Sequence, residues 1–386
     1  MPLMTLGRLR DILGFDDFAA DLLMAAPSEM SPSLAGQEHV EPPQSRAAAL
    51  LYLGSFLSIV LFAIVANYFG NGTNLLPSPG FPSNCDRAWK TRRLEDLARS
   101  TSPPRALILG SSRVHAFEPE LVERLTSLRC FNFGVSVGCP IDFLAMLRLA
   151  VRIGINPELV VLGIDETSFG DNSSNDYYDL QLVSQPSLFR EVPLHEQAQL
   201  MARALKTITV SSTKTSLMNL MGRLPTTSGQ RSMTEIYFDD GLGKLYVHET
   251  ERPDHARRLV AGIEEKVKFW GHFYGPYEVE RLRPQSPRTD CFRDLLRLAH
   301  ERGIVVHVVL LPVHPEFERG VFSPRFLEIR KEVSELLRSV CFEFGADYRD
   351  FTSLAAFGGD PNDFFDGTHL TVASARKIIS AILVQR

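Results

Sequence analysis

Residues 105–113 read RALILGSSR, an apolar run that closes on a glycine and two serines. A short stretch this apolar, with no polar residue at alternate positions, predicts a strand covered on both faces. Two runs of the same kind follow, CFNFGV at 130–135 and ELVVLGID at 158–165. Between them, FEPELVERL (117–125) suits a helix that tolerates Pro119 in its first turn, and PIDFLAMLRLAVRIG (140–154) a helix closed by Gly154. Strands alternating with helices, each strand core unbroken, predict a parallel sheet with helices on both faces.

Downstream the alternation pauses. Residues 170–285 read as an insertion, with a helix over 195–208, a hairpin over EIYFDDGLGKLYVHE (235–249) signalled by Asp240-Gly241, and a helix over 254–270. The pattern resumes with a helix (290–303), the strand IVVHVVLLP (304–312), a long helix (324–345), the short strand ADYRDF (346–351) and a closing helix (371–386). Five strands with crossover helices predict an α/β, flavodoxin-like three-layer sandwich around a five-stranded parallel sheet. Sites in such sheets lie at the carboxyl ends of the strands.

Upstream, Ala47–Ala66 (AAALLYLGSFLSIVLFAIVA) carries no charge. A helix of about 20 residues at about 1.5 Å each matches the roughly 30 Å hydrocarbon core of a bilayer. The run is apolar on every face, unlike a surface helix of a soluble domain, and it starts too late and runs too long for a cleavable signal. Residues 46–69 therefore read as a transmembrane signal anchor. Arg46 directly before it, against Arg87, Lys90, Arg92 and Arg93 well after it, favours residues 1–45 as a cytoplasmic tail and the rest as extracytoplasmic. In that tail Leu6, Leu9, Leu13 and Leu23 share one face of an amphipathic helix, followed by a Pro/Ser-rich stretch of disordered composition. Residues 70–104 read as a linker and 105–386 as the α/β domain with its insertion.

A chain of 386 residues has room for one large domain with appendages, and a net charge of −5 offers no basic surface to nucleic acid. None of the five cysteines (Cys85, Cys130, Cys139, Cys291, Cys341) forms a CxxC pair, which argues against structural zinc. No metal-ligand spacing or cofactor motif is recognisable. Cys130 and Cys139 are close enough to form a disulfide outside the cytoplasm, with buried thiols as the plainer alternative.

Chemistry-bearing residues gather where the fold puts sites: LGSSR (109–113), FNFGVSVG (131–138) and LGIDETSF (162–169) end strands, and FFDGTHLT (364–371) precedes the last helix. A serine hydroxyl is a weak nucleophile near neutral pH and needs a base, itself oriented by a third group. Asp366 and His369 can supply orienter and base from one loop. Together these segments resemble the SGNH, or GDSL-like, hydrolase superfamily, most closely its membrane-anchored extracytoplasmic branch with DltD-like and polysaccharide O-acetylation proteins. The family's hydrophobic-Gly-Asp-Ser block matches Ile108-Leu109-Gly110-Ser111-Ser112, which implies Ser112 as nucleophile, with Ser111 in place of Asp as in the DltD-like branch. The Asn-x-Gly block matches Asn132-Phe133-Gly134 and implies that the N–H groups of Gly134 and Ser112 form the oxyanion hole. Asp-x-x-His matches Asp366 and His369. The Gly-x-Asn-Asp block departs: it reads Gly163-Ile164-Asp165-Glu166, and an ionised Asp165 cannot donate to an oxyanion. Either Asp165 is protonated, or it has another role, or the hole relies on backbone donors. The resemblance implies an acyl-ester substrate, with a cell-envelope polysaccharide as the candidate, and covers residues 105–169 and 290–386.

Competing readings remain at several residues. Gly134-Val135-Ser136-Val137-Gly138 fits the G-x-S-x-G nucleophile elbow and would make Ser136 the nucleophile, but that elbow follows several strands rather than two, and no HGGG-type segment precedes it. Ser112 could be a helix N-cap. His115 and His314 lie on the site-bearing edge, as substrate contacts or solvated residues, and His307 reads as a core histidine. Arg113 could meet an anionic substrate group or pair with Glu118 or Glu120. A membrane-tethered binding protein that keeps the fold as a scaffold is the alternative to an enzyme.

Overall fold

The structure is a computed structural model that describes residues 46–70, 85–170, 180–222, 233–271 and 279–384. The expected amphipathic helix and Pro/Ser-rich stretch lie outside the described residues. In chain order the first elements are α1 (Arg46–Gly70), α2 (Asp86–Ala98), β1 (Ala106–Gly110), α3 (Pro119–Thr126), β2 (Cys130–Asn132), α4 (Pro140–Arg152) and β3 (Leu159–Ile164). Then come α5 (Pro186–Phe189), α6 (Leu194–Lys206), α7 (Val210–Leu220), α8 (Met233–Ile236) and α9 (His255–Trp270). The domain closes with α10 (Ser286–Glu301), β4 (Val305–Leu310), α11 (Pro315–Val321), α12 (Pro324–Phe344), β5 (Asp347–Asp350) and α13 (Val372–Leu383).

All five strands pair in parallel in the order β2-β1-β3-β4-β5. The register sets Leu107 beside Phe131 on one side and Val160 on the other. Successive strand residues face opposite sides. Leu107, Leu109, Val160 and Leu162 enter a core shared with α4, α10 and α12, while Ala106, Ile108 and Val161 enter one shared with α3, α11 and α13. Two covered faces explain why the strands are apolar without alternation.

Within the expected linker, α2 packs into the domain. Its sequence DRAWKTRRLEDLA is mostly charged, yet Arg87 and Lys90 are fully buried. Arg87 grips Asp142 of α4 through two bonds, 2.8 and 3.0 Å, and also donates to Ser136 O and Gln181 Oε1. Such a buried pair is stable only when it is well hydrogen-bonded, and here Arg87 donates four bonds while both Asp142 oxygens accept. Lys90 Nζ donates to Gly241 O at 3.0 Å and stands over the Tyr237 ring.

The expected hairpin at 235–249 is not formed. Only one antiparallel bridge, Tyr237 with Gly243, joins its arms, and α8 and a 3₁₀ turn at Lys244–Tyr246 take the rest. The Asp240-Gly241 turn is present, with Gly241 at φ +87°, but it docks on the β2 edge: Asn132 N–H donates to Asp240 O at 2.8 Å. The tip of the segment, at Asp240 and Gly241, is held by the sheet edge and by Lys90, while its arms share only that bridge and the Phe238 N–H to Leu242 O bond. The Cys130–Cys139 disulfide is likewise not formed, since all five cysteines are buried free thiols.

α1 is long and apolar enough to cross a membrane, and its side chains from Leu50 to Leu61 are exposed. Its last turns are different. Asn67 is fully buried, and its Nδ2 donates to Thr213 Oγ1 at 2.7 Å while its Oδ1 accepts from Ser216 at 3.1 Å. Asn219 Nδ2 donates to Gly70 O at 2.7 Å, and a Cβ on Gly70 would stand 2.2 Å from Ser216 O. The Ser/Thr-rich face of α7 is thus a dock for the end of α1.

Candidate active site

β1 ends at Gly110, and Ser111 caps a 3₁₀ turn over Ser112–Val114 by accepting the Arg113 N–H at 3.2 Å. The cap is therefore Ser111, which leaves the Ser112 hydroxyl for other work. Val114, fully buried, locks the turn against the neighbouring strand ends: a Cβ on Gly134 or Gly163 would stand 2.4 or 2.3 Å from its methyls. Only glycine admits that approach.

Ser112 Oγ lies 2.9 Å from His369 Nε2, across 257 residues of chain. His369 Nδ1 lies 2.8 Å from Asp366 Oδ2. The other carboxylate oxygen, Oδ1, accepts the N–H groups of Thr368 and His369, both at 2.8 Å, so the loop folds around its own Asp. Lys266 Nζ of α9 stands 3.6 Å from Oδ2. Burial by itself would raise the Asp366 carboxyl; His369, Lys266 and the Thr368 N–H outweigh it and hold the group well below the usual carboxylate range. An ionised Asp366 only accepts hydrogen bonds, so Nδ1 carries the imidazole proton and Nε2 offers its lone pair to Ser112. The three residues expected to form a triad meet with the geometry of a nucleophile, its base and the base's orienter.

The expected oxyanion donors fare differently. Gly134 N–H donates to Asn132 Oδ1 at 3.0 Å and is already engaged. Asn132, fully buried, spends its Nδ2 on Val114 O and Phe117 O, so it clips the loops after β1 and β2 together. The Ser112 N–H has no partner among the described residues. Asp165 Oδ1 lies 3.4 Å from Arg113 Nη1 and makes no hydrogen bond among the described residues. Burial pushes the Asp165 carboxyl up, and Arg113 recovers only part of that. Arg113 is thereby assigned to Asp165, to Glu166 at 2.7 Å and to Pro312 O, not to Glu118 or Glu120, which meet Arg376 and Arg124.

Ser136 has no histidine partner among the described residues. Its N–H donates to Asp86 Oδ2 at 2.5 Å and its carbonyl accepts from Arg87, so the first turn of α2 holds it on both sides. The next residue, Val137, sits at φ +51°, a conformation that costs a β-branched residue about 1–3 kcal/mol. The clamp from Asp86 and Arg87 keeps this strained loop in place.

Three other histidines, His115, His314 and His307, have structural partners. His115 is buried and bonds Gly134 O at 3.1 Å; burial and the nearby Lys90 hold its imidazole pKa well below the usual range. His314 caps α11 by accepting the Glu316 N–H at 3.1 Å. His307 pairs with Asp347 on the adjacent strand, 3.1 Å away. Two site residues come from the insertion and carry no sequence signal of their own: Lys266, and Tyr246, whose ring centroid lies 5.9 Å from that of His369. Gly262 of α9 allows the approach to Asp366, whose Cβ lies 3.1 Å from where a glycine Cβ would be. No protein-family model matches this sequence, and no curated protein matches it.

Proposed function

We propose that this chain is a serine-dependent acyl-ester hydrolase or O-acyltransferase of the SGNH type, anchored in a membrane by α1 with its catalytic domain on the extracytoplasmic side. The observation that carries the reading is the unbroken line from Ser112 Oγ to His369 Nε2 at 2.9 Å and from His369 Nδ1 to Asp366 at 2.8 Å. The strand order β2-β1-β3-β4-β5 suits a flavodoxin-like sheet, and Ser112 follows the inner strand β1, at the carboxyl edge where such sheets carry sites. Ser112 Oγ attacks the acyl carbonyl while His369 Nε2 takes its proton. His369 then returns that proton to the departing alcohol; in the second half it takes a proton from water or another hydroxyl as that oxygen attacks the acyl-serine, and returns it to Ser112 Oγ as the ester bond breaks. Asp366 stabilises the imidazolium formed between the two transfers. The acyl-ester substrate, with an envelope polysaccharide as its carrier, rests on the motif resemblance alone.

A fluorophosphonate probe tests the reading directly. Ser112→Ala abolishes labelling of the folded protein and Ser136→Ala retains it. Labelling that survives Ser112→Ala and disappears in Ser136→Ala overturns the choice of nucleophile. A non-catalytic scaffold is the second reading. It is favoured by one observation: of the expected oxyanion donors, the Gly134 N–H is already engaged by Asn132 Oδ1. Absence of labelling in the folded wild-type chain supports that alternative.

A further inference from the structure

We propose that the elbow joining α6 to α7, residues 205–210, inserts shallowly into the lipid leaflet on the side where α1 emerges, with anionic phospholipid as its partner. This rests on the reading of α1 as a membrane anchor. Asn67 meets Thr213 and Ser216, and three residues further on Gly70 meets Ser216 and Asn219, so α7 advances along α1 in the same direction. Tracing α7 back by the same interval from Thr213 brings Val210 level with Ile64. Ile64 lies inside the uncharged run that ends at Ala66. The start of α7 is therefore about 3 Å, roughly half a turn, within the apolar depth that α1 defines.

The side chains at that depth suit lipid. Val210 is 90% exposed and Leu205 43%, with Ile208 half-buried between them. Charge agrees with position. Residues 197–234 contain no Asp or Glu but hold Arg203, Lys206, Lys214, Arg223 and Arg231. Lys206 and Lys214 are exposed on either side of the elbow. Their long stems can run along acyl chains while the ammonium groups reach phosphate. The consequence is a second point of attachment, which stops the domain from swinging freely about a single helix.

The test uses the full chain in vesicles of mixed phosphatidylcholine and phosphatidylglycerol. An environment-sensitive dye is attached to Val210→Cys, Leu205→Cys, Leu57→Cys or Phe342→Cys, the native thiols being buried. Dyes at Val210 and Leu205 are expected to shift to the blue. A spin label near the top of the acyl chain should quench them severalfold more than the dye at Phe342, which is 89% exposed on α12. Lys206→Glu with Lys214→Glu, or vesicles of phosphatidylcholine alone, should reduce that quenching. A dye at Val210 quenched no more than one at Phe342, while the Leu57 dye responds to a deep quencher, overturns the elbow and leaves the anchor standing. An unquenched Leu57 dye overturns both. A Val210 dye shielded from lipid and from aqueous iodide alike means a second copy or another protein covers the elbow, and the proposal fails. Quenching equal in neutral and anionic vesicles removes the anionic partner.

Discussion

At His369 the backbone N–H and the ring Nδ1 both bond to Asp366, one through Oδ1 and the other through Oδ2. One carboxylate thus fixes the loop and the tautomer together. Asp366→Asn can preserve the loop but presents an amide N–H to Nδ1, which drives the ring proton to Nε2 and removes the lone pair that Ser112 needs. The expected loss is about 10⁴-fold in kcat, the cost of the wrong tautomer in a serine triad, at little cost in folding. Comparing the labelling rate with the melting temperature checks it; a rate within tenfold of wild type would remove Asp366 from the mechanism. Asp165 makes the opposite prediction. Its carboxylate opposes an oxyanion, whereas an amide there could donate to one, and Arg113 would keep Glu166. Asp165→Asn should raise the acylation rate, by up to about 10²-fold if the amide reaches the oxyanion. An unchanged rate in stopped-flow acylation of Ser112 would confine Asp165 to holding Arg113.

α2 was the least legible element. Hydrophobic periodicity locates helices by their apolar faces, and α2 instead buries Asp86, Arg87 and Lys90. A reading based on apolar spacing assigns such a segment to a linker. The same holds for α7, whose one buried residue is Ser216 rather than a Leu. The five strands and the helices α3, α4, α10, α12 and α13 were legible because each buries a conventional apolar surface. Ser112, Asp366 and His369 were legible because short loops at strand ends leave few alternatives. Engagement of the Gly134 N–H was not, since it depends on how Asn132 turns its amide. The buried Lys90 also gives α2 a pH signature. Burial pushes its amine down to about 7, against Asp86 and Asp240, which pull it up. Its unfolded value is about 10.4. Between these values the unfolded chain binds more protons than the folded one, so stability rises with pH from about 7 towards about 10. Denaturant unfolding of the detergent-solubilised chain should show that rise, and Lys90→Met should remove the part that Lys90 supplies. An identical pH slope in both proteins would mean that Lys90 titrates in water, outside its pocket.

Across the whole molecule, the candidate site residues come from both ends of the domain, and the insertion adds two side chains beside them. Ser112 follows β1 and His369 precedes α13, so neither half of the chain can assemble the site alone. Tyr246 and Lys266 arrive from the insertion, so the segment outside the motif resemblance supplies the side chains beside His369 and Asp366. α1 stands apart from this assembly. The side-chain bonds between its last turn and the rest of the domain run to α7, at Thr213, Ser216 and Asn219, and none reaches Ser112, His369 or Asp366. Removing residues 1–70 should therefore leave the Ser112 labelling rate unchanged. The bonds lost to α7 are each worth about 0.5–1.5 kcal/mol, and the face they leave behind is polar enough for water. The truncated chain should stay folded with a modestly lower melting temperature and leave the membrane fraction. If it aggregates or loses labelling by Ser112, α1 is an integral part of the domain's packing, and the separation of anchor from catalytic unit drawn from these contacts is wrong.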